Sequence, residues 1–426
     1  MTALYEVKPL SDAEATDLGI VRLRWLDPET SAPRETEQAI STSSLATSFE
    51  ASSPRFQLDV VVAQYAEVLR ESIWAEQIGS DLSEVAGWSD QVARSLPEDP
   101  DVTELAVRTR RERSRKGEVA HAVAEGRLVK TFAFRGATHL VTPEEGGAFL
   151  ALRAASRMWE LPSWQSYYGL TPADWPRFRE TVREVLAAGP LTREALGAAI
   201  TARPRFRHLG FAFADGAGTL LKPLAWQGDM SFGPPRDGRS TFQLLDGNPR
   251  WAGIPDLDEA GTYAVESYFS AYGPATPDHL YYWLGEGLGA GRKRIKAWIA
   301  DLGDRLAEVD IEEECAYVLR EDLEEVASTP ATTAVRLLPG YDQWVLGPGT
   351  ADAHVVPPAR RALVSRQANI AIVGGVVSGT WSLTGDQIHT VWFPDAGPPP
   401  RDALAEEVAR LATILARPLH WTVQTA

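Results

Sequence analysis

Apolar residues recur at helical spacing in several stretches of the chain, and short runs rich in β-branched and aromatic residues follow them. Val61, Tyr65, Leu69 and Ile73 lie four positions apart, which predicts a helix over 57–78 with one buried face. The same pattern, interrupted by polar stretches, continues along the rest of the chain. It indicates a protein that mixes helices with small sheets, of the α+β class.

The first 56 residues have a different character. Ser11, with Glu14 three residues later, fits a capping box, and the apolar positions after it predict a helix that continues to Leu26. The stretch 28–55 is rich in Ser, Thr, Pro and Glu and has few large apolar side chains, which predicts a loosely packed connection. Residues 1–56 are therefore expected to be an N-terminal helix and a polar connection.

Helices followed by a two-stranded ribbon recur three times, and this recurrence is the most informative feature of the pattern. Ribbons are predicted in LVKTFAFRGATHLVT, TLLKPLAWQGDMSFGPPRDGRSTFQLL and RLAEVDIEEECAYVLR. Helix, turn, helix and ribbon is the plan of a winged-helix module, whose second helix commonly enters the major groove of DNA. The predicted modules are 57–170, with an insertion at 79–116, then 171–252 and 253–325. Residues 326–426 form a β-rich domain that closes with the helix DALAEEVARLATILA.

Composition changes this picture mainly through charge. The 426 residues carry 42 basic and 58 acidic side chains, and the net charge of −16 by itself argues against a polyanionic partner. The charges are unevenly spread, because residues 106–250 hold 22 basic and 14 acidic residues whereas residues 1–105 hold 7 and 20. A basic middle between acidic flanks fits a charged groove for nucleic acid, and it fits solvated helix faces equally well.

Several classes of protein are excluded by what the sequence does not contain. A single cysteine, Cys315, excludes a disulfide framework and a Cys-based zinc site. No apolar run approaches the roughly 18 residues of a membrane helix, and no signal-peptide pattern is present, so we expect a cytoplasmic protein with no membrane partner. The seven histidines lack metal-ligand spacing, and no phosphate loop, HExxH or GxSxG motif occurs. We expect neither a metal nor a cofactor.

Six blocks of sequence, taken together, resemble a known family. They are VVVAQYAEVLRESIWAE, GRLVKTFAFRGATHLVTPEE, LLKPLAWQGDMSFGP, AVESYFSAYGPATPDHLYYWLGE, VRLLPGYDQWVLGPG and VSRQANIAIVGGVVSGTW. In order and content they resemble the winged-helix DNA-binding domain family that includes the AlkZ and YcaQ type DNA glycosylases, which remove alkylated bases and unhook interstrand crosslinks. The resemblance covers about residues 57–426. It implies three tandem winged-helix modules in a C-shaped arrangement with a C-terminal β-barrel-like domain, and duplex DNA in the concave face.

The resemblance also implies where the chemistry would take place. The family's catalytic pair is Gln-x-Gln, with Asp as the second residue in some members, ten residues before a tryptophan. Counting back from Trp74 places the second position at Gln64 and the first at Val62, so half of the pair is missing. An amide carbonyl or a carboxylate stabilises the oxocarbenium-like sugar of N-glycoside hydrolysis, and a valine does not. Glu67, on the same polar face as Gln64, is a candidate replacement base, although a glutamate in such a position is more often an ordinary solvated residue.

Candidate DNA contacts lie in the first wing, in the second wing and at the start of a basic helix. The guanidinium of an arginine suits phosphate geometry, although local ion pairs and backbone hydrogen bonds explain such residues as well. These candidates are Arg135, His139, Lys222, Arg236, Arg239, Arg292, Lys293, Arg294 and Lys296. Candidates for stacking on bases, among 14 tryptophans of which most should be core, are Trp159, Trp164, Trp175, Trp226 and Trp251.

Three hypotheses for function follow. The first is a DNA-repair or self-resistance glycosylase-like protein, a monomer that hydrolyses the N-glycosidic bond of alkylated or bulky-adduct purines, or of crosslinks, in damaged duplex DNA. The second is a catalytically silent winged-helix DNA-binding protein, either a regulator or a damage sensor. The third is a relative that binds a small molecule, for which the acidic total charge is the argument.

The substitution Val62→Gln separates these hypotheses. If only the missing amide limits the reaction, Val62→Gln raises base release from a duplex that carries 7-methylguanine. If position 62 is packed as core, a buried amide without partners gives no gain in activity and lowers stability by about 1–3 kcal/mol. Base release and the thermal unfolding midpoint are the two measurements, with a Gln-x-Gln relative as the active control. A variant unchanged in both would contradict both interpretations.

Overall fold

The computed structural model describes most of the chain from residue 102 onward and parts of the chain before it. The described residues are 17–26, 33–41, 60, 61, 64, 102–111, 113–134, 137–214, 219–236, 239–284, 290–312, 314–365 and 368–425. The chain divides into two compact units, Met1–Asp99 and Pro100–Ala426.

The first unit contains a β-hairpin where a helix and a polar connection were predicted. Strands β1 (Asp17–Leu26) and β2 (Pro33–Ser41) pair antiparallel along their length. The predicted helix to Leu26 and the loose connection after it are therefore wrong over these residues. From Val21 to Trp25 apolar residues alternate with arginines, a period of two that matches a strand and competes with the capping-box signal.

Helices dominate the second unit, and they separate its small sheets. The helices are α1 (Val102–Arg108), α2 (Glu118–Ala124), α3 (Gly146–Ala154), α4 (Pro162–Tyr168), α5 (Trp175–Leu186), α6 (Arg193–Thr201), α7 (Gly210–Ala214), α8 (Lys222–Trp226), α9 (Leu257–Tyr272), α10 (Pro277–Leu284), α11 (Arg292–Leu302), α12 (Leu323–Ser328), α13 (Gln343–Leu346), α14 (Arg361–Val364) and α15 (Arg401–Leu415). Short 3-10 helices lie at Met158–Glu160, Pro204–Leu209, Thr219–Leu221, Gly303–Arg305, Pro358–Arg360 and Pro394–Ala396. Within the described residues no helix is both long and apolar enough to cross a bilayer.

All three predicted ribbons are confirmed as antiparallel hairpins. They are β3 (Val129–Ala133) with β4 (Ala137–Val141), β6 (Met230–Arg236) with β7 (Arg239–Leu244), and β8 (Leu306–Ile311) with β9 (Glu314–Leu319). A short strand, β5 (Leu191–Thr192), pairs with the outer side of β7. The helix start predicted at Thr192 is also confirmed, because the Thr192 hydroxyl accepts a hydrogen bond from the backbone N–H of Ala195.

Helix α3 lies between two hydrophobic cores and joins them. Its sequence, GGAFLALRA, is apolar around most of the helix, as expected for a helix buried on more than one side. Leu150 packs in a core with Phe178 and other residues of the first two hairpin units, whereas Leu152 packs in a core with Tyr268 of the third. The predicted boundary between 57–170 and 171–252 therefore runs through one shared core.

The C-terminal domain is built on an open sheet of five strands. The strands, in spatial order, are β10 (Val335–Leu338), β11 (Ile370–Val373), β12 (Val376–Thr384), β13 (Gln387–Trp392) and β14 (His420–Thr425), of which only the last pair is parallel. The expectation of a β-barrel-like domain is therefore wrong for the described residues, since β10 and β14 form the two edges. One face is covered by Leu404, Val408, Leu411 and Ile414 of α15, and the other by Val345, Val356 and Val364. A sheet covered on both faces does not need to close in order to bury its apolar side chains.

Residues 102–111 bind to this C-terminal domain and are here called the docking segment. Leu105 enters the core beneath α15, and the Arg108 guanidinium donates a hydrogen bond to the carbonyl of Ile414. Arg110 donates two hydrogen bonds, of 2.9 and 2.5 Å, to the carboxylate of Asp342, whose side chain is 0% exposed. The sequence pattern predicts that these residues belong to the insertion 79–116 of the first module, whereas the structure shows them packed against the C-terminal domain.

The edge strand β10 is held by the same network of charged groups. The buried carboxylate of Glu407 accepts a hydrogen bond from the backbone N–H of Leu337 at 3.0 Å and two from Arg410 at 2.7 Å. Arg410 also donates to the carbonyl oxygen of Thr109 in the docking segment at 3.0 Å. Glu407 therefore satisfies an unpaired donor of the sheet edge while its charge is balanced by Arg410.

The substitution Arg110→Met tests whether the docking segment stabilises the second unit. It leaves the Asp342 carboxylate buried without its cation, so we expect a loss of about 2 kcal/mol, below the 3–5 of fully buried pairs because Arg110 is partly exposed. Arg177→Met is the matched control, since the ion pair of Arg177 with Glu180 is exposed on both sides and should contribute less than about 1 kcal/mol. Denaturant unfolding gives both values, and equal losses would contradict a structural role for Arg110.

Candidate functional site

The second unit encloses a cavity of about 720 Å³ where four parts of the chain meet. Residues of the docking segment form one part of its lining, the tip of the first hairpin another, and helix α10 a third. The C-terminal domain completes it. The lining residues are Ala106, Val107, Phe134, Ala137, Thr138, His139, Leu140, Tyr282, Trp283, Tyr341, Gln343, Leu346, Thr350 and Ser365. The volume lies in the range of small-molecule and cofactor sites.

Aromatic rings form a continuous wall on one side of the cavity. The ring centre of Phe134 lies 4.7 Å from that of Trp283, 5.2 Å from that of Phe149 and 4.7 Å from that of His139. Trp283 in turn lies 5.1 Å from Tyr268, a fully buried residue of α9. The wall is thus fixed from behind by the second core, which makes it a preformed surface.

Two of the aromatic lining residues have an unfavourable backbone conformation. Phe134 has a φ of 41° at the turn of the first hairpin, and Tyr341 has a φ of 59° in the loop after β10. Bulky residues rarely adopt a left-handed conformation, which costs of the order of 1–3 kcal/mol and persists where surrounding structure imposes it. Strain of this kind clusters at binding and active sites, and here both strained aromatic residues line the cavity.

The described polar groups of the lining bond to each other or to neighbouring backbone. His139 is partly buried, and its Nδ1–H donates to the carbonyl of Ala137 at 3.0 Å. The hydroxyls of Thr350 and Ser365 are hydrogen bonded to each other at 3.0 Å. Gln343 begins α13, directly after the carboxylate of Asp342 that caps the helix and binds Arg110. The described lining therefore offers ring faces together with hydroxyl, amide and imidazole groups.

The basic helix predicted near residue 292 is α11, and its four cations are exposed at its N-terminal end. Buried Ile295, Trp298 and Leu302 anchor the opposite face of the helix in the second core. The guanidinium of Arg292 lies 4.0 Å from the ring centre of Tyr281 and 3.3 Å from the carboxylate of Asp278. The four cations are Arg292, Lys293, Arg294 and Lys296. The first turn of α11 itself contains no acidic residue. The positive end of the helix dipole also lies at this N-terminus and favours anions.

The remaining predicted DNA contacts are dispersed. Lys222 begins α8 and lies 5.6 Å from the ring centre of Phe132, so it is engaged with the first hairpin. Arg236 and Arg239 are exposed and paired across the tip of the second hairpin. The pKa of the Glu194 carboxyl is lowered by hydrogen bonds from its own backbone and from Thr192, and to a smaller extent by the positive charge of Arg239.

Only part of the predicted catalytic set can be located. Gln64 is helical and half-buried, and its Nε2 is buried with no hydrogen-bond partner among the described residues. A buried amide left unpaired costs about 1–3 kcal/mol, so such a group calls for an explanation. Val62, Glu67 and Arg135 lie outside the described residues. In the described part of the chain no group of three His, Cys, Asp or Glu side chains could hold a metal ion.

Tryptophans predicted as stacking groups lie in the first core instead. Trp159, Trp175 and Trp226 are at most 5% exposed, and Trp164 and Trp251 pack against the same core. Trp283, which was not singled out, is the tryptophan of the cavity. Its block, HLYYWLGE, carries three aromatic residues in succession, but a count of aromatics does not tell which of them line a cavity.

Comparison with known proteins places the chain in a family. Residues 93–414 match the family model described as DNA glycosylase AlkZ-like. The interstrand DNA cross-link repair glycosylase of Streptomyces sahachiroi is 37% identical over 317 residues, which are 73% of this chain and 85% of that protein. The solved structure of Streptomyces sahachiroi DNA glycosylase AlkZ is similar with a TM-score of 0.72 and 35% identity, over 76% of this chain and 90% of that one. The chain belongs to the AlkZ-like DNA glycosylase family.

These similarities confirm the resemblance found in the sequence and an α+β fold similar to that of AlkZ. The matched range of the family model begins after Gln64. The cavity and helix α11 both lie inside it.

Neutralising two lysines of α11 tests its role in binding nucleic acid. Each phosphate contact contributes about 0.9 to the slope of log affinity against log salt concentration, so Lys293→Gln with Lys296→Gln should reduce the slope for a duplex by about 2. Arg157→Gln with Arg177→Gln changes the net charge equally on other elements and should leave the slope nearly unchanged. The slopes are measured by fluorescence anisotropy, and equal slopes for both double variants would remove α11 from the interface.

Proposed function

We propose that this protein is a DNA-repair glycosylase that hydrolyses the N-glycosidic bond of alkylated or bulky-adduct purines, including crosslinked ones, in damaged duplex DNA. Membership of the AlkZ-like DNA glycosylase family is the observation that carries the proposal. The cavity supports it, because an enzyme that acts on a base must take that base out of the stack and hold it in a pocket. The protein is proposed to act as a monomer in the cytoplasm.

In this proposal the three helix–hairpin units are winged-helix modules, arranged along the duplex with the C-terminal domain. Helix α11 would then be the element that meets DNA through its exposed cations, and the tip of the second hairpin would contact the backbone through Arg236 and Arg239. Such contacts position the protein and carry no sequence information. They suit an enzyme that recognises damage wherever it occurs.

The proposed chemistry depends on Gln64. Its side-chain carbonyl can orient a water molecule and face the positive charge that develops on the sugar, as one residue of the family's pair does. The buried, unpartnered Nε2 of Gln64 supports this role, since the amide is not committed to another described side chain. Glu67 is the proposed substitute for the missing first glutamine, and it would take the proton from the attacking water.

A second candidate function is kept because of one residue. Val62 stands where the family has the first glutamine of its pair, and a valine can neither orient water nor stabilise charge. A protein with this change and an intact DNA-binding surface would be a damage sensor or regulator that binds without cleavage. A small-molecule binder would instead use the cavity with no affinity for DNA.

Base release from a duplex that carries 7-methylguanine tests the proposal. We expect release by the wild-type protein, and a decrease of about 10²–10³-fold in Gln64→Ala, the effect typical of removing one group that stabilises a developing charge. Gln64→Glu keeps a carbonyl oxygen at the same position and should retain part of the activity. AlkZ serves as the active control. Salt-dependent binding without release would favour the silent protein, and no binding at low salt would favour the small-molecule binder.

A further inference from the structure

The described lining of the cavity consists of aromatic ring faces together with hydroxyl, amide and imidazole groups. Among its described lining residues none is an aspartate, glutamate, lysine or arginine. Four lining residues are aromatic and come from three separated parts of the chain: Phe134, Tyr282, Trp283 and Tyr341. The described lining therefore distinguishes ligands mainly through its π-systems and its shape, since its described residues contain no carboxylate, ammonium or guanidinium group.

Aromatic faces carry a negative partial charge above the plane of the ring. A cation placed over such a face is attracted by about 0.5–2 kcal/mol, most strongly by tryptophan and where the ligand is removed from water. Trp283 is fixed from behind by Tyr268 and from the side by Phe134, with ring centres 5.1 and 4.7 Å away. Its position therefore does not need to be ordered when a ligand binds.

The buried ion pair that adjoins the lining in sequence does not counteract this preference. The carboxylate of Asp342 precedes the lining residue Gln343 in sequence, but it is fully buried and is held by two hydrogen bonds from Arg110. The pair has no net charge. A cationic ligand in the cavity thus meets neither a free carboxylate nor an uncompensated guanidinium among the described lining residues.

We propose that the cavity binds the damaged purine as a cation and that its aromatic faces select this base over a neutral purine of the same shape. Alkylation of a purine ring nitrogen such as N7 gives the base a positive charge, whereas an undamaged purine is neutral. The inference rests on the proposed function, because a base of duplex DNA reaches a cavity only after it has left the stack. Trp283 and Tyr341 are the residues that confer the preference.

Tyr341 is suited to this role by its position and its backbone. It is 51% exposed at the rim of the cavity, so its ring is accessible to an entering base. Its left-handed φ of 59° is maintained although it is unfavourable for a tyrosine. Because the side chain is exposed, Tyr341 can be replaced without opening a hole in a core.

Equilibrium binding to three duplexes tests the proposal. They carry, at one position, 7-methylguanine, 7-methyl-7-deazaguanine or guanine, each on a 2′-fluorinated sugar that resists base release. The deaza base has the same methyl group and shape but no positive charge. We expect the wild-type protein to bind the 7-methylguanine duplex about tenfold more tightly than the deaza duplex. The ratio should fall at least threefold in Tyr341→Leu and in Trp283→Leu.

Matched variants separate the ring from the residue. Tyr341→Phe keeps the aromatic face and should keep the wild-type ratio. Tyr167→Leu removes an exposed aromatic ring of α4 that does not line the cavity, and it should also leave the ratio unchanged. Thermal unfolding of each variant is measured in parallel, and Tyr341→Leu decides the test if Trp283→Leu does not fold.

Equal affinity of the wild-type protein for the 7-methylguanine and deaza duplexes would overturn the inference, as would a preference that Tyr341→Leu does not reduce. Base release from the same lesion on ordinary deoxyribose is measured alongside. Base release combined with equal affinities for the 7-methylguanine and deaza duplexes would contradict the selection by charge and leave the glycosylase activity supported. A tenfold preference without release removes only the glycosylase activity and leaves a protein that senses charged lesions.

Discussion

The pairing of Arg110 with the buried carboxylate of Asp342 is the interaction on which the site depends. It joins the docking segment to the C-terminal domain across more than two hundred residues of sequence, and Ala106 and Val107 of that segment line the cavity. A buried carboxylate is tolerated only when a cation and hydrogen bonds compensate it, so the pair forms with defined geometry or not at all. The same pair sets the position of Gln343, which follows Asp342 in the lining.

Charged and aromatic groups are separated in this molecule. Exposed cations lie on α11 and at the tip of the second hairpin, whereas the described lining of the cavity is rich in rings and contains no carboxylate, ammonium or guanidinium group. Long-range attraction to a polyanion and short-range selection of a base require different surroundings, since phosphate contacts work in water and ring contacts gain strength away from it. The acidic net charge of the whole chain is compatible with the proposed DNA binding, because the local charge on α11 and on the second hairpin is positive.

Local patterns in the sequence predicted the three hairpins, the start of α6 at Thr192 and the terminal helix, because strand periodicity, a cap and an amphipathic stripe are each encoded in neighbouring residues. The prediction of an N-terminal helix was wrong because the capping-box signal was given more weight than the alternation of apolar and polar residues, which is typical of a strand. The prediction of a β-barrel-like domain was wrong because α15 covers one face of the sheet, and tertiary packing of this kind cannot be read from neighbouring residues in the sequence. The cavity was missed since Phe134, Trp283 and Tyr341 come together only in the fold. The resemblance singles out Gln64 as a candidate catalytic residue, and its partners in that prediction, Val62 and Glu67, lie outside the described residues.

Helix α3 has a consequence for how the second unit unfolds. It contributes Leu150 to one core and Leu152 to the other, and a Cβ at Gly147 would lie 1.9 Å from the carbonyl oxygen of Gly253. Because α3 packs in both cores, loss of packing in one core removes support from a helix that the other core needs. We therefore expect the three hairpin units to open together rather than one after another, with the amides of α3 among the most slowly exchanging of the second unit.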